Sequence, residues 1–269
     1  MMENRSSLPK VLVITIAWLV IGFLIAPMFV TFPISLTSER YLSMPDGEIS
    51  FRHYQTLVED SAWISAFMDS LIVATGTVVV SLTIGTLAAI GLWQIGGRPA
   101  QMLRILPLLP LIVPPVVSAL ALSRAWVMLR MLDTYPAVII SHSILALPFV
   151  FMTVSASLES VDKRIVQAAR SLGSGPFRSV FGIVIPNVKA GLFTGGLFAF
   201  FVSWDEIVVT LFITGRNVFT LPRKIWSDLR DSIDPAIAAL SSLMIAVTIV
   251  VAAIYLTNTL LKQRKTPQE

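Results

Sequence analysis

The chain has 269 residues, 55% of them hydrophobic and 13% charged, with a mean hydropathy of +0.80 and a formal charge of +4. Soluble domains carry about 25% charged residues, so the composition excludes a water-soluble globular protein and indicates a membrane protein. Cysteine is absent, which excludes a disulfide framework and a thiolate metal site. The basic residues gather at the ends of apolar runs, a topology signal rather than a nucleic-acid surface.

Crossing about 30 Å of hydrocarbon takes about 20 helical residues. Six apolar runs meet that length and predict six transmembrane helices: 11–36, 68–95, 105–129, 136–158, 190–214 and 236–261. Alternating strand patterns are absent, so the fold class is all-α. The first run follows Arg5 and Lys10 as a secretory signal would, but it is too long for one and no small-x-small cleavage site follows; it reads as a retained anchor helix. The connection 37–66 is acidic, with Glu39, Asp46, Glu48, Glu59 and Asp60.

The third run holds Pro107, Pro110, Pro114 and Pro115. Each removes an N–H and frees the carbonyl four residues earlier, which a membrane tolerates only where it is buried in protein or faces water. Two readings stand, a kinked helix lining a cavity or an ordinary packed kink. Arg124 and Trp126 near its end read as interfacial anchors. The fourth run contains one histidine, His142, with no nearby carboxylate; it makes no metal site, and a hydrogen bond to a neighbouring helix is the expected use.

Between the fourth and fifth runs lies a basic segment, 159–189. Ile165, Ala168, Ala169 and Leu172 fall on one side of a helix that Asp162 can cap, and Gly173, Gly175 and Pro176 then break it. A second short segment runs from Phe177 toward Pro186, giving a bent helix pair. By these features alone the segment also reads as an amphipathic loop lying on lipid headgroups.

The fifth run opens with Gly191-x-x-x-Gly195, a spacing that lets another helix approach closely. It also carries Asp205 and Glu206, and ionised carboxylates at such depth cost about 2.5–3.5 kcal/mol, so they must face protein or water. Glu206 shares a stripe with Ser203 and Thr210, a polar face suited to a water-filled path. Asp205 has Phe201, Val202, Val208 and Val209 around it, which suggests helix packing or a paired cation. The substrate-path candidates are therefore Glu206, Asp205, Ser203 and Thr210, set against the plainer reading of both acids as gate or packing residues.

With the N-terminus inside, twelve of the twenty lysines and arginines fall in cytoplasmic segments and seven outside, with Arg124 inside a span. Both termini and the 159–189 segment are thus expected in the cytoplasm. No phosphate loop of the form Gly-x-x-x-x-Gly-Lys-Ser/Thr is present, and no nucleophile–base pair, so neither an ATPase nor any other catalytic residue is expected, nor a cofactor.

The offsets in the basic segment are specific. Gln167-Ala168-Ala169, Gly173, Ile183 and Ile185-Pro186 resemble the Glu-Ala-Ala loop of the permease subunits of ATP-binding-cassette (ABC) importers, with Gln for the usual Glu and Ile for the usual Leu. The resemblance covers roughly residues 65–260. Ser203-Trp204-Asp205-Glu206, Thr220-Leu221-Pro222 and Asp234-Pro235-Ala236-Ile237-Ala238-Ala239 look like the subgroup that includes spermidine/putrescine permeases. It implies a single 1–269 permease domain of the type I importer fold, with an added N-terminal helix and a cytoplasmic coupling-helix loop. It implies Gln167, Ala168, Ala169, Leu172, Gly173, Ile183 and Pro186 as residues that dock an ATPase dimer. It further implies a second permease subunit, of the same or a different chain, and an extracytoplasmic substrate-binding protein in a bacterial-type inner membrane. A passive channel or a membrane scaffold is the alternative; a channel needs no such loop, and a scaffold leaves the proline-rich span and the acidic pair idle.

Overall fold

The computed structural model describes residues 7–231 and 233–265, and every regular element among them is helical. In chain order these are α1 (Ser7–Ser35), α2 (Arg52–Glu59), α3 (Ser61–Ile95) and α4 (Gly97–Leu103), then a 3₁₀ turn over Leu106–Leu111. There follow α5 (Pro115–Leu129), α6 (Tyr135–Glu159), α7 (Lys163–Ser171) and α8 (Pro176–Ser179), which runs through a π-helical stretch, Val180–Val184, into α9 (Ile185–Asn187). The last are α10 (Lys189–Asp205), α11 (Val208–Ile213), α12 (Leu221–Asp231) and α13 (Ala236–Lys265).

Among the described residues, four helical stretches are long and apolar enough to cross a bilayer: Lys10–Ser35, Ser61–Ile95, Tyr135–Glu159 and Ala236–Thr257. Two bent pairs bring the number to six if each counts as one span. The proline-rich run 105–129, expected to kink, is broken outright: Gly97–Leu111 and Pro115–Leu129 meet at 91°. The cause is proline, since Pro114 takes an extended ψ of 138° and Pro115 starts α5 at a position that needs no N–H. The expected continuous helix over 190–214 is also broken. Its first part meets the preceding Pro176–Asn187 at 75°, and α10 stops at Asp205 because Glu206 turns to φ −76°, ψ 111°.

Residues 65–224 form one compact unit. Its centre is α6, where Val138, His142, Ala146, Val150, Val154 and Leu158, four residues apart throughout, are all buried. α10 answers with a stripe of small buried residues at the same spacing: Gly191, Gly195, Ala199 and Ser203. A Cβ on Gly191 would lie 2.7 Å from the Thr153 carbonyl oxygen, and one on Gly195 would lie 2.7 Å from Thr153 Oγ1. The two backbones therefore meet where only glycine fits.

The second unit comprises the described parts of residues 1–64 and 225–269. Within it α1 lies along α13, and α2 packs on α13 as well. Almost all of the described α1 side chains before Thr31 are exposed, as a helix facing lipid must be. Ser35 Oγ and Tyr54 OH lie 2.8 Å apart, and His53 Nε2 lies 3.0 Å from the Glu39 carbonyl. Asp234 Oδ1 accepts the Ala236 N–H at 2.8 Å, so the Asp-Pro-Ala motif starts α13 as a cap.

Candidate functional site

The segment 162–187 is a bent pair with most of its apolar side chains facing out. Asp162 Oδ1 caps α7 by accepting the Arg164 N–H at 2.9 Å. α7 ends in a glycine cap: Ser174 N–H donates to the Ala169 carbonyl at 3.0 Å and Gly173 N–H to Arg170 at 2.9 Å, with Gly173 at φ +87°. The buried residue of α7 is Val166, packed in the cluster that contains Trp93, Val184 and Val188. Ile165, Ala168 and Leu172 are exposed, Leu172 at 89%, and Phe177 beyond the bend at 79%. Gln167, Ala168, Leu172 and Gly173 thus lie exposed together on α7 and its end, and Ala169 is half-buried. Ile183 is half-buried against the same cluster, while Pro186 is exposed on α9. Lys163 fastens α7 to the end of α3: its Nζ donates to the Trp93 carbonyl at 2.6 Å and lies 5.1 Å from the Trp93 ring centroid.

The break after α10 opens on a cleft of about 470 Å³ lined by Pro110, Leu111, Val113, Pro115, Leu145, Phe149, Phe201, Val202, Asp205 and Glu206. Two of the four prolines of the third span, Pro110 and Pro115, therefore line a cavity. Asp205 is exposed in it, whereas Glu206 is half-buried and its Oε1 accepts the Val209 N–H at 2.8 Å, capping α11. The expected stripe of Ser203, Glu206 and Thr210 divides, because the helix breaks within it. Ser203 and Thr210 are buried and face His142 rather than the cleft. Asp205, expected to pack against a helix or pair with a cation, is exposed on the cleft.

His142 is fully buried, with Nδ1 2.9 Å from Ser203 Oγ and Nε2 3.0 Å from Thr210 Oγ1. Ser203 Oγ also donates to Thr77 Oγ1 at 3.3 Å, and Thr210 Oγ1 to the Glu206 carbonyl at 3.1 Å. Trp126, expected at an interface, is instead buried, its indole N–H donating to Ser141 Oγ at 2.8 Å.

Beyond α11 the turn to α12 is held by side chains that sequence reasoning passed over. The Asp133 carboxylate accepts the N–H groups of Gly215, Arg216, Asn217 and Val218 at 2.7–3.2 Å. Asp69 accepts the Tyr135 hydroxyl at 2.6 Å and the Phe219 N–H at 2.8 Å, and Ser70 Oγ accepts the Leu221 N–H at 2.7 Å. Arg223 bonds Thr214 Oγ1, and its guanidinium carbon lies 4.7 Å from the Phe219 ring centroid. Asp133 lies in the short connection between α5 and α6 and Asp69 near the start of α3, and spacing alone does not reveal backbone partners 82 to 150 residues away.

Partial burial acts to raise the Asp133 pKa, yet the four backbone donors outweigh it and hold the carboxyl below its ordinary value. A depressed carboxylate contributes stability that is present above the unfolded pKa and lost as pH falls through the folded one. In detergent, the wild-type Tm is expected to fall below about pH 4, and Asp133→Asn is expected to start lower and show less of that fall. A parallel pH dependence in both proteins, read by differential scanning fluorimetry, would contradict this.

Residues 81–264 match the model of the binding-protein-dependent transport system inner membrane component family. The chain is 30% identical over 251 residues to the putrescine transport system permease protein PotI of Escherichia coli K12, covering 90% of this chain and 89% of that one. It is 26% identical over 229 residues to the spermidine/putrescine permease PotC of the same organism, covering 85% and 86%. It is 30% identical over 233 residues to a probable molybdenum ABC transporter permease of Haloferax volcanii, covering 82% and 85%. A crystal structure of a bacterial ABC transporter that imports the acidic polysaccharide alginate contains a chain that superposes with a TM-score of 0.72 at 14% identity, covering 99% of each chain. Together with the helical fold, these matches establish that the chain is a multi-pass permease subunit of an ABC importer, not an enzyme, and belongs to the binding-protein-dependent transport system inner membrane component family.

Proposed function

We propose that this permease forms half of the translocation path for a small cationic amine of the polyamine class, which passes Asp205 and Glu206. The observation that carries the reading is the cleft itself, where two carboxylates share a wall with the rings of Phe149 and Phe201. Carboxylates with aromatic faces suit an alkylammonium, and an anion would meet two like charges. The names of PotI and PotC agree with this substrate class.

An extracytoplasmic binding protein would deliver the amine, and an ATPase dimer would drive it by docking on the exposed face of α7. The docking residues are Gln167, Ala168, Ala169, Leu172 and Gly173, with Ile183 and Pro186 shaping the return toward α10. The lysine and arginine bias supports an orientation with α7 and both termini in the cytoplasm of a bacterial-type inner membrane. A second permease, of the same or a different chain, completes the path. A passive channel or scaffold would leave the α7 face without a use.

The test is putrescine uptake by vesicles carrying the whole importer. Asp205→Asn and Glu206→Gln, each keeping its shape, are expected to raise KM about tenfold, equivalent to about 1.4 kcal/mol. Unchanged KM in both variants would refute the cationic path.

A further inference from the structure

We propose that His142 is the positioning residue for the break in the fifth span, and that it acts as a two-position pin. This rests on the reading of Asp205 and Glu206 as the path residues, since the pin fixes the backbone that presents them. The ring sits on α6 and reaches both sides of the break: Ser203 near the end of α10 through Nδ1 and Thr210 in the first turn of α11 through Nε2.

With Ser203 donating to Thr77 and Thr210 donating to the Glu206 carbonyl, the hydrogen atoms do not suffice for every bond. Ser203 donates to Thr77 on α3, so it must accept from Nδ1. Thr210 donates to the Glu206 carbonyl, so it must accept from Nε2. Both ring nitrogens would then need a proton, whereas a neutral imidazole carries one. Both face neutral hydroxyls in a fully buried place, where an unpaired cation is unfavourable.

A neutral ring thus leaves one of two constraints unmade. With the proton on Nδ1, Ser203 keeps its bond to Thr77, but Thr210 must turn its proton to Nε2 and releases the Glu206 carbonyl. With the proton on Nε2, Thr210 keeps the Glu206 carbonyl, but Ser203 must turn its proton to Nδ1 and releases Thr77. Moving one proton across the ring exchanges a tie between α10 and α3 for a tie that closes the break around Glu206. This gives the break two discrete hydrogen-bonded arrangements of equal bond number, in the backbone that carries both acids.

The chain contains two histidines, so ¹⁵N-histidine labelling of the full-length protein in nanodiscs reads His142 directly once His53→Gln removes the other signal. Ring nitrogens with and without a proton have distinct shifts. Thr210→Val is expected to drive the ring to the Nδ1–H form and Ser203→Ala to the Nε2–H form, with wild type between them. One unchanged tautomer in all three proteins would overturn the pin. In whole-importer vesicles, His142→Phe is expected to raise the KM for putrescine at least tenfold while the ATPase still co-purifies. Should His142→Phe fail to assemble, Ser203→Ala and Thr210→Val carry the test, each expected to change KM at least threefold. Unchanged KM in the assembled variants, alongside an impaired Asp205→Asn, would refute the pin alone. Unchanged KM in Asp205→Asn and Glu206→Gln would refute the path reading, and the tautomer measurement still judges the pin.

Discussion

Leu172→Asp is expected to give a chain that folds, reaches the membrane and no longer drives uptake. Leu172 is 89% exposed, so the substitution removes no packing from the folded chain. It sits with Ile165 and Ala168 on the exposed side of α7, and a partner closing over that side must desolvate whatever stands there. An unpaired carboxylate in such a contact costs several kcal/mol, enough to lower the docking constant by at least about 100-fold. The measurement pairs co-purification of the ATPase with ATP-driven uptake, with Tm as the control for folding. An unaltered Tm with the ATPase lost identifies α7 as its seat; unaltered uptake would place the seat elsewhere.

Gly191→Val should prevent the chain from folding. The first added carbon would fall 2.7 Å from the Thr153 carbonyl oxygen, which belongs to the backbone of α6 and cannot turn aside. Overpacking of this kind costs about 3 kcal/mol or more, a large share of the stability of an ordinary domain. Gly182→Ala is the matched control, because nothing lies within 4 Å of a Cβ at that position. Fluorescence-detected size exclusion should show a monodisperse peak for Gly182→Ala and aggregate for Gly191→Val. A normal peak for the latter would mean that α6 and α10 do not meet as described.

The features legible in the sequence are those set by local chemistry. Span lengths follow from apolar runs, the α7 start from Asp162, its end from Gly173, and the close helix approach from Gly191 and Gly195. The prolines of the third span announced a kink, but not that Pro114 would turn extended and open a 91° angle. The fifth span misled because its hydropathy continues through 206–214. The break there carries long-range bonds from His142 to both sides, beside the local Glu206 cap on the restart. The apolar face of α7 was half legible: Ile165, Ala168 and Leu172 share a side, while burial of Val166 depends on where Lys163 anchors the helix to α3. Asp69 and Asp133 lay outside any motif, since their partners, the Tyr135 hydroxyl and the backbone N–H groups of a turn, come together only once the chain has folded.

α3 is fastened near both ends. Lys163 grips it at Trp93, and near its start Asp69 and Ser70 grip the turn that follows α11. Between Asp69 and Trp93 it runs for about 36 Å at about 1.5 Å per residue, with no proline and no break. A continuous helix of that length is a strut. It has no joint at which to absorb a thrust, so a push delivered at Trp93 reaches the 215–221 turn as a displacement of the whole rod. The Trp93 end and the 215–221 turn are then stations on one continuous member, and a displacement at one is expected at the other.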